Sequence, residues 1–221
     1  MPRKVVTRSP HREVGVVNPA WLLDHSVEHE SHLERRFIMV ALSCPVVVDI
    51  VHQPFEISLA LGEKESQYTP DFKVTFKDGD HVIVEVKPEV FLEQHAERLR
   101  AAEAQLKADG KRFLVVTDKH IDANGLSARA ILLMRYGRLQ LSDAEAMECQ
   151  RLLKDRFDGN AQIKTLMDQG MSEATIWNLV AKHNLRVPAG LSISPSETVS
   201  INEIQGGCHD FFRAWVGLTP R

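Results

Sequence analysis

The chain has 221 residues, 43% of them hydrophobic, which suits one large domain or a main domain with a small companion around a buried core. A net charge of -3 and a pI of ≈ 6.4 lack the cationic surplus of proteins that grip nucleic acid unaided, so any DNA role calls for a metal ion or a partner. No apolar run reaches membrane-spanning length, the opening residues lack the apolar core of a secretory signal, and the scattered Cys44, Cys149 and Cys208 argue against a disulfide framework or a zinc site. The expectation is a cytoplasmic protein with reduced thiols.

Residues 1–25 read as an irregular, Pro-containing arm with a basic cluster, Arg3, Lys4, Arg8 and Arg12. A helix is expected from Ser26, a suitable N-cap, to Ser43, because Leu33, Phe37, Val40 and Ala41 recur at helical spacing. Pro45 ends it, and Val46–Val51 and Pro54–Leu61 read as short strands. In "YTPDFKVTFKDGDHVIVEVKPE", Tyr68 to Glu89, Phe72, Val74 and Phe76 alternate with polar residues, and Val82, Val84 and Val86 alternate with Ile83, Glu85 and Lys87. A two-residue Asp78-Gly79 turn would set even positions against odd. A three-residue loop ending on a left-handed Gly79 keeps the apolar faces matched, and it puts Asp71 across from Glu85 with Lys87 on the same face.

From Pro88 to Ala108, the residues Phe91, His95, Leu99, Ala102 and Leu106 mark an amphipathic helix that Gly110 stops. "RFLVVTD" follows as a strand, and strand-helix-strand implies a right-handed crossover to a parallel neighbour. A further helix spans about Leu126 to Tyr136, within a second basic cluster, Arg129 to Arg138. The fold class is therefore α/β: a mixed sheet flanked by helices over residues 26–141. Residues 142–221 read as a small, mainly helical C-terminal domain, with a winged-helix-like arrangement as one option. Its last helix pair, broken at Gly170 and restarted at Ser172, has helix-turn-helix layout, yet with few cations a plain helical hairpin is at least as good a reading. Phe211, Phe212, Trp215 and Val216 are expected to close that domain's own core, with a docking face for a partner as the alternative.

Asp71 at a strand start and Glu85-x-Lys87 on its neighbour carry the chemistry. Mg²⁺ takes a few hard oxygen ligands and keeps room for water and a substrate phosphate, which two carboxylates on one sheet face supply. A lysine beside them can orient or help deprotonate the attacking water. The plainer reading is a solvated polar face with an incidental cross-strand pair. His25, His29 and His32, at i, i+4 and i+7, would line one helix face and could suggest a transition-metal site, but spacing fixes no acidic or Cys partner and a solvated face is the better reading. No phosphate-binding glycine loop is present.

The segments "HESHLERRFI", "VVDIVHQPFEI", "YTPDFKV" and "VEVKPE" resemble the PD-(D/E)xK nuclease superfamily and, within it, the TnsA transposon-end endonucleases, over about Ser26 to Asp118. That resemblance implies a restriction-endonuclease-like fold and a Mg²⁺-dependent DNA endonuclease, with Mn²⁺ able to substitute, that cuts the 5′ strand at transposon ends. It implies metal ligands Glu34, from "LERRF", together with Asp71 and Glu85; Glu30 is the fallback for Glu34, Lys87 is the catalytic lysine and Gln53 has a supporting role. Some TnsA-type enzymes carry glutamine where this chain has Glu85, the commoner superfamily residue. The implied partners are double-stranded DNA at transposon ends, a DDE-type transposase of the TnsB kind and an ATPase regulator of the TnsC kind. Two alternatives stand beside it: a nuclease of the same superfamily in restriction, repair or junction resolution, and a non-catalytic adaptor.

Overall fold

The computed structural model describes residues 14–62, 64–202 and 207–218. The N-terminal basic cluster lies outside them. The arm is not irregular throughout: β1 (Gly15–Val17) pairs antiparallel with β2 (Val27–His29), and Val17, Leu23 and Val27 are buried. The first helix, α1 (His32–Leu42), therefore starts later than the apolar spacing suggested. Residues 27–29 are taken by a strand ladder, and Ser31 rather than Ser26 is the N-cap, its hydroxyl accepting the Glu34 N–H at 3.1 Å.

The chain continues through β3 (Val47–His52), β4 (Ile57–Leu61), β5 (Lys64–Tyr68), β6 (Phe72–Phe76) and β7 (His81–Val86). After a 3-10 turn at Glu89–Phe91 come α2 (Ala96–Ala108) and β8 (Phe113–Val116). The sheet order is β3-β6-β7-β8, antiparallel except that β8 runs parallel to β7, which gives the mixed sheet expected. β4 and β5 form a separate hairpin whose Leu59 and Tyr68 pack with Ala102 of α2. Phe91 is 48% exposed rather than on a helix face, because the backbone N–H of Glu89 is captured by Asp118 Oδ1 at 2.7 Å and the chain turns there before α2 begins. That residue opens α3 (Asp118–Ile121), which is followed by α4 (Leu126–Gly137). In α4, Arg129 is a structural staple rather than a phosphate contact, donating to the carbonyls of Leu191 at 2.5 Å and Gly190 at 3.0 Å.

The hairpin register follows the alternation. Phe72 faces Val84 and Val74 faces Val82, the even side chains are buried, and Lys77, Asp78 and Gly79 form the loop. Gly79 takes φ +83 with nothing near its missing side chain, so conformation alone demands glycine there. Continuing the register by one pair sets Asp71 across from Glu85.

Beyond residue 141 lie α5 (Asp143–Phe157), β9 (Asn160–Gln162), α6 (Ile163–Asp168), α7 (Glu173–Ala181), β10 (Thr198–Ser200) and α8 (Cys208–Trp215). The region is helical with one two-stranded ribbon, β9-β10. Ser172 caps α7, accepting the Thr175 N–H at 3.0 Å, but Thr175 to Ala181 are all buried, so α7 has no open face to lay in a DNA groove. The terminal aromatics do not close a separate small core. Phe212 stacks on Phe76 of β6 with centroids 5.3 Å apart, and the Trp215 indole N–H donates to the Val40 carbonyl of α1 at 3.0 Å. Both are fully buried, which removes them as a docking face and makes one apolar core continuous from Val17 to Val216. Full burial of such a ring stabilises by about 1.5–3 kcal/mol.

Candidate active site

Pro70 has no N–H to give the ladder, so regular pairing of β6 starts at Phe72 and Asp71 sits just outside it. Its backbone is still held, because the Gln53 N–H donates to the Asp71 carbonyl at 2.7 Å. The Asp71 side chain crosses toward β7, where Oδ2 accepts the Val86 N–H at 2.7 Å. Among the described residues no hydrogen bond reaches Oδ1. Burial first, then the Glu85 and Glu34 carboxylates, hold Asp71 well above the usual carboxylate range, against the opposing pull of the Val86 N–H and Lys87.

Glu85 is 5% exposed and has partners on both oxygens. Tyr68 O–H donates to Oε2 at 2.6 Å and Lys87 Nζ lies 2.8 Å from Oε1. Pro88 disfavours helical backbone at Lys87, which keeps the lysine extended at the strand end. Burial, then the adjacent Glu85 charge, pushes the Tyr68 phenol far up, so it stays a donor.

Glu34 lies in the first turn of α1. Its Oε1 accepts from the Ser31 hydroxyl at 2.8 Å and its Oε2 from the Glu30 N–H at 2.7 Å. Burial raises its pKa, with the Glu30 and Glu85 charges adding to the effect, so Glu34 shares the field of the β-strand acids. Glu30 does not lie one helical turn earlier; it sits between β2 and α1 and contributes its backbone N–H. Gln53 carries a left-handed backbone, φ 39, and its buried Oε1 has no hydrogen-bond partner among the described residues.

The structure thus brings Asp71, Glu85 and Lys87 together and places Glu34 within electrostatic reach. The histidines do not gather: His29 is in β2, His32 opens α1, and His25 Nε2 lies 2.8 Å from Asp49 Oδ1. Among the described residues no three His, Cys, Asp or Glu side chains form a preformed metal cage. Mg²⁺ does not require one, since it binds through one or two carboxylates and completes its shell with water and substrate oxygens. Buried carboxylates within each other's field, with Asp71 Oδ1 open among the described residues, suit such a cation.

A cleft of about 270 Å³ opens on Glu85 and Lys87 and is lined also by Tyr68, His95 and Arg98. Sequence reasoning missed these three. Tyr68 could have been found as the one aromatic in an otherwise polar strand, "KESQY".

Residues 44–118, about a third of the chain, match the family model described as TnsA-like endonuclease N terminal. That segment is similar to the N-terminal domain of TnsA-like endonucleases. The match contains Gln53, Tyr68, Asp71, Glu85, Lys87, His95 and Arg98, whereas Glu34 lies ahead of it. The mixed sheet of the TnsA-like segment, flanked by helices, agrees with a restriction-endonuclease-like fold. No curated protein matches the chain. Among the described residues no helix is long and apolar enough to cross a membrane.

Proposed function

We propose that this protein is a divalent-metal-dependent DNA endonuclease that cuts the 5′ strand at transposon ends. It would act as one subunit of a heteromeric transposase, with a TnsB-type enzyme cutting the other strand and a TnsC-type ATPase regulating both. The observation that carries the chemistry is the meeting of Asp71, Glu85 and Lys87 at one strand end inside a segment that matches a nuclease family. Asp71, Glu85 and Glu34 would hold Mg²⁺, or Mn²⁺ in its place. When bound, the ion supplies Lewis-acid polarisation of the phosphate and acidifies a water.

The chain's own groups divide the remaining work. Lys87 orients the attacking water and offsets negative charge developing at phosphorus. Tyr68 fixes the direction of Glu85, and the Gln53 N–H fixes the backbone of Asp71. Water oxygen bonds to phosphorus, the bond from phosphorus to the 3′ oxygen breaks, and a proton reaches that oxygen, leaving 5′-phosphate and 3′-hydroxyl ends. The weak net charge is consistent with end recognition being supplied by partners.

The test is cleavage of end-containing DNA with Mg²⁺ or Mn²⁺, with and without the cognate transposase. Asp71→Asn and Lys87→Ala should each lower the rate by roughly 10²–10³ or more while the fold persists. An Asp71→Asn protein that cuts at the normal rate would defeat the assignment.

A further inference from the structure

Lys87 shares its charge with Glu85 at 2.8 Å, and the acids around it repel one another. A nucleic-acid strand entering the same cleft brings a further negative charge with each phosphate, so the opposite wall must supply cations or donors. That wall is the start of α2. His95 and Arg98 line the cleft together with Glu85 and Lys87, and neither is paired with a carboxylate among the described residues.

Arg98 is exposed yet fixed in orientation. Its Nη2 donates to the Gln67 carbonyl at 2.7 Å, and its guanidinium lies over the Tyr68 ring, 5.7 Å from the centroid. A guanidinium has five N–H donors in a rigid fork, so one bond to a backbone carbonyl leaves most of them for a ligand. Because the plane is already set, little side-chain entropy is lost on binding an anion. Among the described residues no hydrogen bond reaches the His95 imidazole, which can donate from a ring nitrogen. The cleft, about 270 Å³ and open to solvent, has room for a backbone phosphate.

We propose that Arg98, assisted by His95, binds a backbone phosphate of the strand being cut and so presents the neighbouring phosphodiester to Asp71, Glu85 and Lys87; this rests on the nuclease reading above. The requirement is for a planar, multi-donor cation at position 98, held in place by Gln67 and Tyr68.

The test uses the full-length chain carrying Asp71→Asn, with a fluorescein-labelled duplex of about 20 base pairs and fluorescence anisotropy between about 50 and 200 mM salt. Adding Arg98→Ala should weaken binding roughly tenfold and flatten the slope of log affinity against log salt by about 0.9, the signature of one lost phosphate contact. Arg98→Lys should keep the slope and recover only part of the affinity. If Arg98 merely props up Tyr68 and β5, Arg98→Ala would lower the melting temperature and leave the slope unchanged, which overturns the inference while the nuclease reading stands. A parent protein that holds no duplex even at the lowest salt also overturns it, and the cleavage assay then decides the nuclease reading separately.

Discussion

Trp215, His183 and Asn178 each bury a nitrogen donor against the backbone carbonyl of a distant element, whereas Asp71, Glu85 and Glu34 lie close enough that like charges oppose one another. His183 Nε2 donates to the Leu42 carbonyl at 2.9 Å, and Asn178 Nδ2 donates to Tyr136 at 2.6 Å and Leu139 at 2.9 Å. A neutral donor on an orphan carbonyl needs no counter-charge, so these contacts tie the C-terminal region to α1 and α4 without calling for a charged ligand. The acids do the reverse: the fold holds them where water is scarce, and the unmet negative charge is a demand that a cation can meet.

The largest expected effect lies on the neutral side. Trp215→Ala removes a fully buried ring and its bond to Val40, and should cost about 3–5 kcal/mol in urea unfolding. A loss below ~1 kcal/mol would mean that α8 is an accessory rather than part of the core.

His183 gives the next effect. Burial depresses its pKa from the usual 6.5 to about 4, so between those values the unfolded chain binds more protons than the folded one. Its contribution is complete above pH 6.5 and is lost as pH falls toward 4, about 3 kcal/mol in all. Unfolding curves across that range should show the decline, and His183→Gln should remove that dependence.

On the charged side, Tyr68→Phe deletes the donor to Glu85 Oε2 and should cost about 1.5–3 kcal/mol when metal is absent. On the proposed nuclease reading it should also weaken cleavage supported by Mg²⁺, which titration of the ion would show. The smallest effect has the opposite sign. The pKa of Asp71 is raised in the fold, so its ionised form destabilises the metal-free protein above that pKa, and the penalty vanishes as pH falls. Asp71→Asn should therefore raise the melting temperature of metal-free protein at neutral pH, by ~2–4 °C for each kcal/mol relieved. A lowered melting temperature would show that the Val86 N–H outweighs the repulsion and would erase the contrast between the two regions.

The hairpin was legible in the sequence because period-two alternation and a glycine needing positive φ both fix one register, and that register carries Asp71, Glu85 and Lys87. The start of α1 was not, since Ser26 and Ser31 are equally good caps by composition and only the pairing of Val27–His29 with Gly15–Val17 decides between them. Three-residue strands such as β1, β2, β9 and β10 are too short to show a period. β5 is polar and half exposed because its hairpin packs on one side of α2 only. The partnerships of Tyr68 and Arg98 join elements whose packing no local pattern reports, so the cleft wall emerged only with the tertiary fold.

The docking of α8 also bears on the order of events during synthesis. Residues 208–216 cover Phe76 and reach back to Val40, so the strand pair bearing Asp71 and Glu85 stays uncapped until the ribosome has passed more than a hundred residues beyond it. A partial chain holds every acid and the lysine, yet lacks the cover over the far end of the hairpin that aligns them, so the full packing of this hairpin arrives late in translation.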